Sequence, residues 1–222
     1  MWPICEFFIM RKTLSSILVA LFLSLSAYSQ ENDFQAWYII SINKKFDKKT
    51  NLSFKTGLRL RENATLYSKR FFDLKYKREF SKHVSLASGY RYNTTWNQKF
   101  IINNLHRFYF DINYKNKIIK RLNYSIRSRC QFQGKDYKYK LLIRQKFSIK
   151  YNIKKTKLAP ELATEYFLNA HVGVKKLRST FTLSYPISKK IDVNLSYRIQ
   201  QEFYVNNPET LFIFESRMIY NL

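Results

Sequence analysis

The chain has little of what usually fixes a fold locally: its 222 residues include two cysteines, four glycines, four prolines and three histidines. Cys5 lies in the leading segment, so Cys130 has no disulfide partner and a cysteine-stapled scaffold is excluded. No Gly, Pro or Ser-rich linker interrupts the chain, which leaves one domain as the expectation. From Gln30 onward no apolar run approaches the roughly 20 residues that a membrane helix needs. Acids are scarce too, 15 against 40 Lys and Arg, for a net charge of +25. That balance invites a nucleic-acid reading, but the basic residues are spread singly rather than gathered in a patch, and export would remove such a partner. The 45% hydrophobic and 18% aromatic content is too high for a disordered basic tail.

What is present begins with an export signal. Met10, Arg11 and Lys12 form a short basic start, Leu14 to Leu25 is apolar, and Ala27 to Ser29 supply small residues before Gln30. Residues 1–29 are therefore read as a cleavable signal peptide, with residues 1–9 an overcalled start. An anchor helix is disfavoured by the short apolar run. No cysteine follows that run, so no lipoprotein attachment is expected.

The rest of the chain alternates. Leu52, Phe54, Leu58 and Leu60 interleave with Ser53, Lys55, Gly57, Arg59 and Arg61, and Leu122, Tyr124, Ile126, Cys130 and Phe132 with Asn123, Arg127, Arg129 and Gln131. A period of two marks strands with one apolar and one polar face. Lys-rich turns near residues 47–50, 81–84, 115–118, 152–155 and 188–191 recur roughly every 35 residues, the spacing of repeated β-hairpins. More variable connections lie between them, which predicts tight turns on one rim and longer loops on the other. Strands are expected at 35–46, 51–62, 67–80, 84–97, 103–114, 119–132, 137–151, 157–168, 176–187, 191–204 and 210–222. Segments of roughly 12 to 15 residues exceed most globular strands and suit a tilted membrane crossing.

The expected fold is all-β: an up-and-down antiparallel transmembrane β-barrel of about 10 to 12 strands over residues 30–222, in the outer membrane of a Gram-negative cell. Bacterial barrels usually have even strand counts and both termini on the periplasmic side, so ten or twelve is preferred to eleven. Phe212, Phe214, Met218, Tyr220 and Leu222 alternate to the last position, as a C-terminal signal for barrel-assembly machinery would. Membrane lipids are the other expected partner, with the turn lysines facing acidic headgroups.

The polar parity would line the lumen with Lys55, Arg59, Arg61, Lys75, Lys77, Arg91, Arg107, Arg127, Arg129, Lys140, Arg144, Lys146, Lys150, Arg178, Arg198 and Arg217. Facing them are Asp73, Glu79, Asp111, Glu161, Glu165, Glu202 and Glu215. Such a lumen should be crossed by ion pairs and keep a positive excess, which suits a non-enzymatic structural or interaction barrel or a narrow anion-preferring channel. The residues singled out are Arg59, Arg61, Arg91, Arg107, Arg127, Arg129, Arg144, Glu165, Arg198 and Glu202. A small anionic molecule is a candidate partner. The alternative is a lipid-modifying barrel enzyme in which His106 and a Ser or Thr of a neighbouring strand form a dyad. No catalytic triad, metal-ligand cluster or phosphate loop is present in the pattern, and no cofactor is expected.

Several fragments carry a family resemblance: Gly89 to Tyr92 (GYRY), His106 to Phe108 (HRF), Ser125 to Arg129 (SIRSR), Ile143–Arg144 and Glu165 to Asn169 (EYFLN). In order and spacing they resemble the outer-membrane barrel family catalogued as domain of unknown function 2490, over about Trp37 to Leu222. The resemblance implies a signal-bearing barrel of unassigned activity. Lys176 to Arg178 departs from the fuller polar run common in the family, which leaves the role of Arg178 open.

Overall fold

In the computed structural model, residues 31–97, 101–136, 138–169 and 173–222 are described. The expected signal peptide and His171 lie outside them. Eleven strands form one closed barrel: β1 (Glu31–Lys45), β2 (Thr50–Arg61), β3 (Leu66–Glu79), β4 (Val84–Trp96), β5 (Ile102–Ile119), β6 (Leu122–Lys135), β7 (Lys138–Tyr151), β8 (Ala159–Asn169), β9 (Gly173–Pro186), β10 (Ile191–Glu202) and β11 (Glu209–Asn221). Each pairs with the next in sequence, antiparallel throughout.

The count of eleven read from the alternation holds, and the preference for an even number does not. Ten antiparallel pairings in succession leave β1 and β11 running in the same direction where the barrel closes. At one end of this seam the Leu222 N–H donates to the Asn43 carbonyl (2.9 Å) and the Asn43 amide to Asn221 Oδ1 (3.2 Å). Nearer the other end Trp37 packs on Leu211 and Ile213, the last fully buried. A parallel pair carries slanted, slightly weaker hydrogen bonds, so this apolar cluster reinforces the join from the lumen side.

The side chains follow the pleat, inverted relative to a water-soluble protein. Tyr38, Ile40 and Ile42 of β1, Phe72, Leu74 and Tyr76 of β3, and Leu195, Tyr197 and Ile199 of β10 face outward, while Ser41, Asp73, Asp111, Arg129, Glu165 and Glu215 are buried inside. An outer wall of this kind is stable in hydrocarbon, where a closed barrel also leaves no strand edge unpaired. The chain is a transmembrane β-barrel.

The expected asymmetry of the rims is not found. The connection at 152–158, on the rim of the Lys-rich turns, is at least as long as 62–65 and 203–208 on the opposite rim. Pro160 sits at the second residue of β8, where the missing N–H does least harm to a ladder, and this delays the strand and lengthens the turn before it. On the same rim Asp47 closes the first turn: its Oδ1 accepts the N–H groups of Lys49 and Thr50 at 2.6 Å, and these bonds hold the carboxyl below its ordinary range.

Replacing Ile213 with Ala should lower the unfolding free energy by about 2–4 kcal/mol, as expected for a buried branched side chain. Urea titration of the reconstituted protein checks this against Ile199→Ala on the outer wall. Equal effects would show that the seam cluster carries no special share of stability.

Candidate functional site

The lumen encloses a cavity of about 670 Å³ lined by fifteen Lys and Arg side chains against six carboxylates. Three kinds of contact hold the cations. The first is ion pairing across neighbouring strands: Arg91 Nε to Asp73 (2.7 Å), Arg198 to Glu215 (2.8 Å), and Arg129 to both oxygens of Asp111 (2.6 and 2.9 Å). Glu165 gathers three arginines, Arg127 (2.5 Å), Arg144 (2.8 Å) and Arg178 (3.5 Å). Lys75 adds to Asp111 at 3.2 Å, Lys146 meets Glu161 at 2.8 Å, and Glu202 takes Lys176.

The second contact is with aromatic faces inside the barrel. Arg59 lies 3.6 Å from the Trp37 ring centre, Arg129 3.9 Å from Tyr109, Arg91 4.2 Å from Phe71, and Arg144 4.4 Å from Phe167. Arg178 bridges Phe167 and Trp37 at 4.9 and 5.4 Å. A ring face attracts a guanidinium through its quadrupole without cancelling the charge. The third is with neutral amides: Arg107 Nε donates to Gln133 Oε1 (2.8 Å) and Arg178 Nε to Gln200 Oε1 (3.1 Å).

Two glycines make room for this. Gly57 stands opposite Phe71 and Gly89 opposite Tyr109 in the strand register. A Cβ at Gly57 would come 2.7 Å from the Phe71 ring, and one at Gly89 would overlap the Tyr109 ring. Seated there, Tyr109 donates its hydroxyl to Asp73 (2.9 Å) while its face carries Arg129.

Most of the singled-out residues thus meet in one space, but not all behave alike. Arg61 sits at the rim, 3.7 Å from Glu62. Lys140, expected inside, is exposed. Arg178, doubtful on resemblance, lies within the network. The four inward rings were missed, as was Lys69. For three of the rings the signal was adjacency: in Phe71–Phe72, Phe108–Tyr109–Phe110 and Tyr166–Phe167 a strand can turn only alternate rings to lipid, and Lys69–Arg70 hides an inward lysine in the same way.

The dyad considered for His106 is not formed. Its cross-strand partners are Tyr92 and Gly134, and its Nδ1 is bonded to the Tyr90 hydroxyl at 2.7 Å; no Ser or Thr hydroxyl among the described residues bonds it. Among the described residues no group of His, Cys, Asp and Glu is placed to hold a metal.

Fold and lumen define a transmembrane β-barrel with an apolar outer wall and a basic, ion-paired interior. The chain belongs to the family described as Protein of unknown function (DUF2490), whose model matches residues 34–210. No curated protein matches it. Among solved structures it is similar to a KdgM porin in complex with disordered oligogalacturonate, at 15% identity and TM-score 0.49 over 76% of this chain and 90% of that one. It is also similar to the NanC porin, at 13% identity and TM-score 0.49 over 81% and 93%.

Gly89→Ala should displace Tyr109 and lower stability by about 1–3 kcal/mol, the usual cost of overpacking. The readout is the urea midpoint followed by tryptophan fluorescence. An unchanged midpoint would show that Tyr109 does not need the gap.

Proposed function

We propose that this protein is an outer-membrane barrel whose lumen passes small anions, a narrow anion-preferring channel without enzymatic activity. The observation that carries this reading is the charge imbalance of the cavity wall, fifteen cations to six carboxylates. In a low-dielectric tube such an excess concentrates anions and repels cations. A second, smaller cavity of about 210 Å³ adjoins the rim of the Lys-rich turns, and Lys55, Lys75 and Arg217 line both spaces. An ion crossing the barrel passes these three side chains. Lys75 and Arg217 have carboxylate partners, while no carboxylate of the described residues lies within 4 Å of Lys55.

The rest of the reading follows from the exported, lipid-facing design. Residues 1–29 act as the cleaved export signal, the strand ending at Leu222 engages the assembly machinery, and the turn lysines meet acidic headgroups. Arg59, Arg61, Arg91, Arg107, Arg127, Arg129, Arg144, Arg198, Glu165 and Glu202 form the charged network that sets the lumen potential.

Reconstitution in a planar bilayer under a potassium chloride gradient tests this. The reversal potential should take the sign of chloride selectivity, and Lys55→Glu should move it toward zero or beyond. Absence of conductance, or a cation preference in the wild type, would overturn the channel reading.

A further inference from the structure

In the lumen, four pairs of cations stand directly opposite each other on neighbouring strands: Arg127 and Lys146, Arg129 and Arg144, Arg91 and Arg107, and Arg59 and Lys69. Like charges in that position repel. The first three pairs have a carboxylate on at least one member, from Glu165, Glu161, Asp111 or Asp73. Arg59 and Lys69 have none within 4 Å among the described residues. The strongest electrostatic influences on Lys69 come from further cations, Arg59, Arg107, Arg91 and Lys176, while Glu215 acts on Arg59 and Asp73 on Arg107 from beyond 4 Å.

Two neighbouring cations, Arg59 and Arg107, are held in place by neutral groups. Trp37 supports Arg59 at 3.6 Å, and the buried Arg59 Nε has no hydrogen-bond partner among the described residues. Gln133 fixes Arg107 through Nε at 2.8 Å and also accepts from Nη2. These contacts orient Arg59 and Arg107 without bringing a carboxylate to either, and both line the large cavity together with Lys69. Two guanidinium forks and one compact ammonium lining one cavity from three strands suit a group with several charged oxygens.

We propose that Arg59, Lys69 and Arg107 form a binding site for a multivalent oxyanion, a phosphate or a polycarboxylate, in the half of the lumen toward residues 62–65. The site rests on the lumen being open to anions, as the channel reading holds, but not on conduction through it. Bound there, the oxyanion supplies negative charge to a cation pair that has no carboxylate within 4 Å among the described residues.

The test is isothermal titration of the refolded full-length barrel in detergent with inorganic phosphate and, separately, citrate, with chloride as background salt. Wild type should bind at least one of them saturably, and Arg59→Gln/Lys69→Gln should bind about tenfold more weakly or less, the usual scale for lost charge-assisted hydrogen bonds. Lys48→Gln, in an exposed turn, should bind as wild type does. Lys69→Gln alone removes a repulsion and should fold; phosphate or citrate should raise the urea midpoint of the wild type and not of this variant. Phosphate and citrate should also block chloride current in wild type. Binding without current would overturn the channel reading and leave the site standing. Current with neither binding nor block, or undiminished binding by the double variant, would overturn the site.

Discussion

Cations confined together in a narrow tube repel one another strongly, and the lumen is organised around keeping them there without cancelling them all. The decisive interaction is the guanidinium resting on an aromatic face. Arg59 on Trp37, Arg91 on Phe71, Arg129 on Tyr109 and Arg144 on Phe167 are each oriented by a ring that leaves the charge in place. Shared carboxylates do the rest, with Glu165 taking three arginines and Asp111 an arginine and a lysine. Followed around the wall, Asp111, Arg129, Tyr109, Asp73, Arg91, Phe71, Arg59, Trp37, Arg178, Phe167 and Arg144 make one connected belt.

That belt constrains the backbone. Rings as large as Phe71 and Tyr109 fit between adjacent strands because Gly57 and Gly89 stand opposite them, which gives two of the four glycines a definite task. It also constrains the seam. Trp37 is both the platform for Arg59 and the cover of Leu211 and Ile213, so closure of the odd-stranded barrel and placement of its charges depend on the same side chain. Breaking a buried ion pair leaves an uncompensated charge and costs about 3–5 kcal/mol, whereas a cation resting on a ring loses less when the ring is trimmed.

Much of this was legible in the sequence because period-two alternation is a direct record of which face a residue takes. The strand limits expected at 84–97, 137–151 and 191–204 fall within two residues of β4, β7 and β10. Alternation fails where neighbours are alike. Ala36 to Ile40 reads as one apolar run, so nothing in the alternation marked Trp37 and Ile39 as inward, and Phe71 beside Phe72 presents two rings for one outward position. Strand pairing was equally hidden: the opposition of Arg59 and Lys69 depends on a bulge between Arg59 and Leu60 in the β2–β3 ladder, which no local pattern announces. The even-number expectation failed because it came from habit among bacterial barrels rather than from any residue of this chain.

The central claim is a lumen of positive potential behind an apolar wall, and thiol labelling reads both properties at once. In a Cys130→Ser background, single cysteines would be placed at Thr182 and Ser184, which line the cavity, and at Phe181 and Leu183, the alternate positions of β9. In reconstituted vesicles an anionic thiol reagent should label 182 and 184 roughly tenfold faster than a cationic one of similar size, as a potential of several kT requires. Positions 181 and 183 should resist both. Equal rates for the two reagents at 182 and 184, or ready labelling at 181 and 183, would contradict the account.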